Sequence, residues 1–577
     1  MDLSTSQPGA ARDLGRRATG ARVVAAIPCV LLVVSAVAAA VLALTGLGAG
    51  PDGPWTFLPA GPLGHDRLEA LASAIGLTVA AVGLARGKRL SLGAALLIFG
   101  AAALVQAALP GHVAAAALDV VALWALFLTH RRYVARTGGR AAWVAPSLAA
   151  IGLVVAVLGA LDLSLANGLV PALPAAVAAA AWLGFADPTA LTLAPLASLG
   201  SVMLAARLFQ LLGLLVALRP AAAAEDAVSS DHARGVIRRH GSGALLPYQT
   251  GRDASAFAVP EAEGALTYAR AGRTAVVLGD PIGAGQEAWT AFDAWLDRCR
   301  RLDWLPGIYQ ASSNASARLA GAGWHPFLVG LEAIVDPLSF DIRRSRVANV
   351  RHTVTRARKG GVVATWSAAG PRGLPDPEGV VAQMATLDAA WRAAAGPQMG
   401  FTVGRFDPDD LDGCGIAVAR AGDGNVEAFA ILRPTGTDEG WMLDLMRRRR
   451  GGVPGSVEAC LVAAIEGLRR RGVRRFSLGL APLSGLDPAH GPIPERAMAL
   501  GARLLRPFYD YPGLAFYKNK FDPVWEPRYV VVRHRRDLFG VGLALVRLHL
   551  GGSWARVARS LRSAVRPPAS PARAKAA

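Results

Sequence analysis

Hydropathy is spread unevenly along this chain, and the unevenness sets what it can fold into. Residues 23–218 are rich in Ala, Leu, Val and Gly with few charges, whereas residues 225–577 have ordinary globular composition. The hydrophobic share over all 577 residues is 53%, above the roughly 45–50% of a soluble protein. Two solvents are implied, membrane first and water second. A spanning helix needs roughly 20 apolar residues, and the candidate spans are 23–47, 68–85, 90–109, 113–129, 142–162 and 196–218. The stretch 166–183 is apolar but broken by Gly168, Pro171 and Pro174; it reads as an outer loop or re-entrant piece, with a seventh span as the alternative. The first apolar run is too long for a signal-peptide core and lacks a clear cleavage pattern.

Basic residues orient this half. Arg12, Arg16, Arg17 and Arg22 precede the first span, Arg86, Lys88 and Arg89 follow the second, and Arg131, Arg132, Arg136 and Arg140 follow the fourth. The loops 49–66, 110–112 and 163–195 carry almost none. Six spans with both ends in the cytoplasm satisfy the bias at every inner loop. Asp119 and Arg207 fall inside predicted spans, where charge is costly; they read as a structural ion pair or as lining for a polar path.

The formal net charge of +19 reads either as arginine used for solubility or as the mark of an anionic partner, nucleic acid or an acidic membrane surface. Cys29, Cys299, Cys414 and Cys460 have no CxxC spacing and support neither a disulfide framework nor a zinc site. No Ser-His-Asp motif, HExxH, Walker A or GxGxxG is present, so no metal or cofactor is called.

After a cytosolic tail (1–22) and the helical membrane region (23–218), residues 219–234 read as a linker. Residues 235–535 then alternate strand and helix. Strands are expected at 273–278, 305–311, 327–336, 440–447, 474–483 and 528–533, with a hairpin over 415–434. Helices are expected at 287–302, 313–324, 341–359, 378–394, 455–471 and near 494–506. Two successive units of similar make-up suggest two related α/β lobes. Residues 536–577 read as a basic amphipathic helix and a disordered tail. The helix could lie on an anionic leaflet or pack as an ordinary C-terminal helix.

Three stretches carry the chemistry. In "LDLMRRRRGGVPGS" (443–456) a strand ends at Asp444, arginines 447–450 follow, and glycines lead into a helix near Ser456. A helix N-terminus flanked by arginines is an anion site. GNAT acetyltransferases hold a pyrophosphate at such a place, but Val453 and Pro454 break their glycine spacing here. "LGLAPLSG" (478–485) is a strand entering a small-residue turn. In "YKNKFDPVWEPRY" (517–529), Lys518 and Lys520 sit two apart on what reads as an extended chain, which puts them on one face. Tyr517, Trp525 and Arg528 complete a cationic, aromatic wall.

These motifs, with "LGDPIG" (278–283) and "NVRHTVTRARKGGV" (349–362) upstream, resemble the catalytic domain of the lysylphosphatidylglycerol synthetase/flippase family, also called the multiple peptide resistance factor family. The resemblance spans roughly 235–535 and keeps motif order. It implies a bacterial inner-membrane enzyme with a multi-span helical domain and a cytosolic domain of two GNAT-like acyltransferase lobes. It implies transfer of an aminoacyl group, lysyl or alanyl, from aminoacyl-tRNA to phosphatidylglycerol of the inner leaflet, without a cofactor. Asp444 and Arg447 match the family's Asp-x-x-Arg pair, and Lys518 and Lys520 its Lys-x-Lys-Phe element. Glu332, Arg351, Arg356, Arg448, Tyr517, Trp525 and Arg528 are implied substrate contacts, with Arg344, Arg358 and Lys359 on the same basic helix. Full-length relatives usually have many more spans, including a flippase module, and six spans leave lipid flipping open. Two other readings stay open: a membrane-anchored acyltransferase using acyl-CoA, and a lipid-binding or flipping protein without catalysis.

Overall fold

The computed structural model describes residues 8–45, 67–108, 112–151, 208–222, 227–251, 253–260, 262–395, 399–486 and 511–551. The chain divides into two compact units. One holds the residues up to Ala224 together with Arg298–Trp304; the other holds Glu225–Asp297 and the residues from Leu305 onward.

The first unit is helical, with helices Pro8–Thr45, Arg67–Ala85, Arg89–Ala108 and Val113–Thr129. Among the described residues, two stretches are long and apolar enough to cross a membrane, Val23–Thr45 and Val113–Arg132. Shorter apolar helices cover Leu71–Ala85, Arg89–Leu104, Ala141–Ile151 and Leu208–Ala217. Each of the six overlaps one expected span. Leu32, Ala80, Phe99, Ala122 and Leu126 pack as this unit's core. Asp119 is buried in the fourth helix; Arg207, its expected partner, and the stretch 166–183 lie outside the described residues.

The second unit is a mixed sheet covered by helices. Its strands are β1 (Ser255–Ala258), β2 (Gly264–Ala271), β3 (Thr274–Leu278), β4 (Ile282–Gly283), β5 (Leu305–Ala311), β6 (His325–Val335), β7 (Val363–Ser367), β8 (Gly415–Arg420), β9 (Val426–Pro434), β10 (Trp441–Arg448), β11 (Phe476–Pro482) and β12 (Val524–Val532). They form one sheet in the order β1-β2-β3-β5-β12-β6-β11-β10-β9-β8-β7, with β4 beside β2.

Each half of the sheet is wound the same way. An antiparallel run, β1-β2-β3 or β7-β8-β9-β10, is followed by a crossover helix and a strand parallel to the last one. Helix Glu287–Leu302 joins β3 to the parallel β5, and helix Ser456–Arg470 joins β10 to the parallel β11. Parallel neighbours need such a crossover and are buried on both faces; β3 accordingly reads as an almost unbroken apolar run. The halves are not separate sheets. Strand β12, the last in the chain, inserts between β5 and β6, and β6 pairs with β11.

The expected helices at 287–302, 378–394 and 455–471 and the hairpin over 415–434 are present within a residue or two. Three expectations change, and one open alternative is decided. The linker 219–234 gives way to a helix from Ala227 to His240, because Ala233, Val236 and Ile237 are buried with Ala258, Ala265 and Ile282. The last strand is longer, starting at Val524 rather than 528. The basic helix starts at Ala348, after a single 3-10 turn at Ser345–Val347. Residues Asp537–His549 form a helix whose Val541 and Ala544 are buried against β12 and its neighbours, while Phe539 is exposed. The helix expected near 494–506 and the tail beyond 551 lie outside the described residues.

Gly467 shows how tightly the crossover helix sits. A Cβ there would strike the Trp366 ring, which meets Trp441 edge-on at 6.2 Å. Alanine gains about 1 kcal/mol of helix propensity but incurs an overpacking cost of about 1–3 kcal/mol. We expect Gly467→Ala to lower the thermal midpoint of the purified chain; an unchanged or raised midpoint would show that Trp366 has room to move.

Candidate active site

The site forms where two parallel strands part. β10 and β11 are paired only at Trp441↔Phe476 and Met442↔Ser477. Just past that level β10 bulges between Leu443 and Leu445, and β11 loses register against β6 between Ser477 and Leu480. Bulges bend strands and re-aim side chains, so the two strands open into a fork. Asp444 lies in the β10 bulge, and Gly479, at φ +83°, in the β11 irregularity.

On the β10 arm, the Asp444 side chain is only 4% exposed and is held from both sides. Tyr248 Oη donates to Oδ1 at 2.9 Å, and Arg433 Nε donates to Oδ2 at 2.8 Å. Arg433 also pairs with Asp410 at 2.8 Å. Burial works against the Arg433 charge, but the Asp444 carboxylate more than offsets it and holds the pKa above its ordinary value. Gly404 lies so close that a Cβ there would collide with Asp444.

Three residues on, Arg447 is buried too. Its Nε donates to Asp388 Oδ1 at 2.9 Å, its Nη1 donates to the Met446 carbonyl at 3.0 Å, and its guanidinium lies 3.7 Å from the Trp391 ring centroid. Asp388, fully buried, is shared with Arg392 at 2.7 Å. Burial lowers the Arg447 pKa against the pull of Asp388. Arg448 is exposed.

On the β11 arm stands Lys518. It lies in the last turn of helix Tyr511–Asn519, and its Nζ donates to the Leu480 carbonyl at 2.7 Å. Burial brings its pKa down to about 7, with Glu332 pulling the other way. Glu332, buried in β6, is gripped by Arg528 Nε at 2.7 Å and by the Ser477 hydroxyl. Arg528 reaches Glu526 at 3.2 Å, and Glu526 takes both Arg475 Nη atoms at 2.7 and 2.8 Å. A ladder of charge thus crosses β11, β6 and β12.

The two lysines do not share a face. Helix, not extended chain, carries Lys518, and Lys520 follows in a turn, where Nζ meets Glu458 Oε1 at 3.4 Å and lies 5.0 Å from the Tyr517 ring. The Tyr517 hydroxyl is buried with no hydrogen-bond partner among the described residues, and burial pushes its pKa well up. Trp525 lies in β12 opposite Ala333, its Nε1 donating to Asn519 Oδ1 at 3.4 Å. On the basic helix, Arg351 is spent on the chain itself, donating to the Arg343 carbonyl at 2.6 Å. Arg344, Arg356, Arg358 and Lys359 are exposed.

The fold therefore brings Glu332, Arg528 and Lys518 into one neighbourhood, and Lys520 with Tyr517. Asp444 and Arg447 have other partners: Tyr248, Arg433, Asp388 and Trp391, none of which stands out in the sequence. The spacing of Asp388, Trp391 and Arg392, one helical turn apart, is the one local signal that could have revealed them.

The family model for phosphatidylglycerol lysyltransferase, C-terminal, matches residues 234–532. The bifunctional lysylphosphatidylglycerol biosynthesis protein LysX of Mycobacterium marinum is 30% identical over 457 residues, covering 74% of this chain and 40% of that protein. LysX of Mycobacterium tuberculosis is 29% identical over 453 residues, covering 74% of this chain and 37% of that protein. The chain thus spans well under half the length of these relatives. Among solved structures, the C-terminal domain of a putative lysylphosphatidylglycerol synthetase from Agrobacterium fabrum aligns at 25% identity and TM-score 0.49, over 57% of this chain and 99% of that one. L-PGS from Bacillus licheniformis aligns at 24% and 0.48, over 55% and 96%.

Removing one partner of a buried ion pair strands the other, at about 3–5 kcal/mol. Asp388→Ala and Arg447→Ala should each lose stability of that order, and the double variant less than their sum. Denaturant unfolding of the three variants checks this; additive losses would mean the pair is not coupled.

Proposed function

We propose that this chain, which belongs to the phosphatidylglycerol lysyltransferase family, transfers an aminoacyl group, lysyl foremost, from aminoacyl-tRNA to phosphatidylglycerol in the inner leaflet. The observation that carries the reading is the family match over 234–532, joined to a fork with Asp444 on one arm and a buried Lys518, its pKa lowered to about 7, on the other. The helical unit is read as a multi-pass anchor in the cytoplasmic membrane with the sheet unit cytosolic, supported by the arginine bias of the inner loops. The sheet unit is read as two GNAT-like lobes, supported by its twice-repeated winding.

In the proposed reaction, the terminal glycerol hydroxyl attacks the ester carbonyl that links the amino acid to the tRNA ribose. The new ester bond forms, the acyl–ribose bond breaks, and the ribose oxygen leaves as a hydroxyl. Ester replaces ester, so no ATP is consumed at this step. Lys518, as the free amine, accepts the glycerol proton and returns it to the ribose oxygen. Asp444, fixed by Tyr248 and Arg433, orients the attacking hydroxyl. Arg447 offers its remaining nitrogen, Nη2, to a phosphate of the lipid or the tRNA 3′ end. Lys520, beside Tyr517, supports the developing oxyanion. The exposed Arg344, Arg356, Arg358 and Lys359, with Arg448, meet the tRNA backbone without reading sequence. The ladder of Glu332 and Arg528 fixes the floor on which the headgroup rests, with Trp525 at its edge. A lysyl group turns the anionic headgroup net cationic, which repels cationic antimicrobial peptides.

Thin-layer separation of lipids from cells expressing the chain tests the reading. A new ninhydrin-positive phospholipid is expected, absent with Asp444→Ala or Lys518→Met; intact protein without that lipid sinks the proposal. The pH profile gives a second check. A lysine whose folded pKa is near 7 is protonated below that value and free above it. Transfer of labelled lysine from lysyl-tRNA should therefore rise with pH through about 7 and level off, and Lys518→Arg, which stays protonated, should be inactive across the range.

A further inference from the structure

The loop Arg449–Gly455 and the helix it opens, Ser456–Arg470, form a place where proteins hold anions, yet here the negative charge comes from inside. Gly455, at φ +93°, stands at the helix's N-cap and offers no side chain to cap its first amides. Such an end carries partial positive charge and attracts phosphates. Glu427, from β9, folds into the loop: its Oε2 accepts the Val453 N–H at 2.8 Å and its Oε1 pairs with Arg449 Nε at 3.0 Å. Its side chain is 8% exposed. Gly452 is what leaves it room, since a Cβ there would run into Oε2. Arg449 is tied back as well, its N–H to the Glu427 carbonyl at 2.7 Å and its Nη2 to the Val426 carbonyl at 2.9 Å. A second carboxylate, Glu458, lies buried in the helix's first turn with Lys520 as its cation.

We propose that Glu427 is a specificity-determining residue, an internal anion that fills this cradle so that donors bearing a diphosphate, such as CoA thioesters, are refused. The inference rests on the reading that the donor is an aminoacyl ester on tRNA. It deepens that reading by naming what keeps the competing class of acyl donor out. Exclusion works twice, by space in the loop and by repulsion from two carboxylates, Glu427 holding Arg449 and Glu458 holding Lys520. The fork between β10 and β11 stays open to an ester whose own phosphates lie elsewhere.

A mere brace would behave differently. Loss of a brace weakens the fold and nothing more, whereas loss of an internal anion vacates a site. The test is calorimetric titration of the full-length chain in nanodiscs with inorganic pyrophosphate and, separately, with CoA. The wild type should show no saturable binding up to about 1 mM, the weak end of specific affinity. Glu427→Ala should bind pyrophosphate at least about tenfold more tightly than the wild type, the worth of one charge-assisted hydrogen bond. Glu427→Gln, which keeps the shape and drops the charge, should gain by a smaller factor, and it decides the matter should the alanine variant not fold. The assignment is overturned when no folded variant gains affinity, or when the wild type binds CoA as well as the variants do. Lysyl transfer from tRNA, measured on the same samples, separates the two proposals. A gain in pyrophosphate affinity without any wild-type transfer keeps the cradle and sinks the aminoacyl reading. Transfer without any such gain does the reverse.

Discussion

Everything at the site follows from the parting of β10 and β11. A sheet that opens leaves peptide groups without ladder partners, and buried peptide groups need partners. Side chains supply them. Lys518 Nζ takes the Leu480 carbonyl, and the Ser477 hydroxyl accepts the Gly479 N–H at 3.0 Å. The charges around the fork obey a similar rule. Asp444 has Arg433, Arg447 has Asp388, and Glu332 has Arg528. Lys518 breaks the pattern: among the described residues its nitrogen meets a carbonyl and no carboxylate. A dipole recovers less of an ammonium's hydration than a full charge does. That shortfall is why this lysine yields its proton near neutrality.

The second constraint is the return of the chain end. β12 completes the first half of the sheet by sitting between β5 and β6, and the helix bearing Lys518 directly precedes it. The lysine is therefore placed by the same event that closes the sheet. The seam is charged rather than greasy: Glu526 of β12 lies opposite Glu332 of β6, which lies opposite Leu480 of β11. Two facing carboxylates repel, and Arg528 and Arg475 between them turn that repulsion into a ladder. Such a ladder adds little net stability, but it fixes register, since a one-residue slip of β12 would strand its charges on the wrong face.

Periodicity made the outer architecture legible. Helix 287–302 alternates Trp, Phe and Leu with charges at helical spacing and was bounded correctly by that pattern alone. Composition misled where tertiary contact decides. The stretch 219–234 looks like a linker from its Ala, Ser and Asp content, yet Ala233, Val236 and Ile237 find β1, β2 and β4 to pack on. The alternation in "YKNKF" mimics a strand, but it is the end of a helix begun at Tyr511. Pro527 hides the true start of β12, because a proline inside a central strand argues against one. Asp444, Arg447 and Lys518 stand out in the sequence as charged members of short motifs. Their partners do not, since Tyr248 meets Asp444 across 196 residues and Asp388 meets Arg447 across 59, distances at which local pattern carries no information.

The chain's positive surplus and its chemistry occupy different places. Cations at the fork are neutralised by carboxylates or, for Lys518, by burial, so they contribute little to the field outside. Among the described residues, the surplus lies on exposed side chains such as Arg344, Arg356, Arg358, Lys359 and Arg448. Exposed charge acts at long range and is screened by salt within about 8–10 Å; buried charge acts locally and is screened little. A polyanionic donor would be gathered by the first set and transformed beside the second. Capture and chemistry can then be tuned separately, because a change in the outer arginines alters encounter without touching the proton balance of the fork.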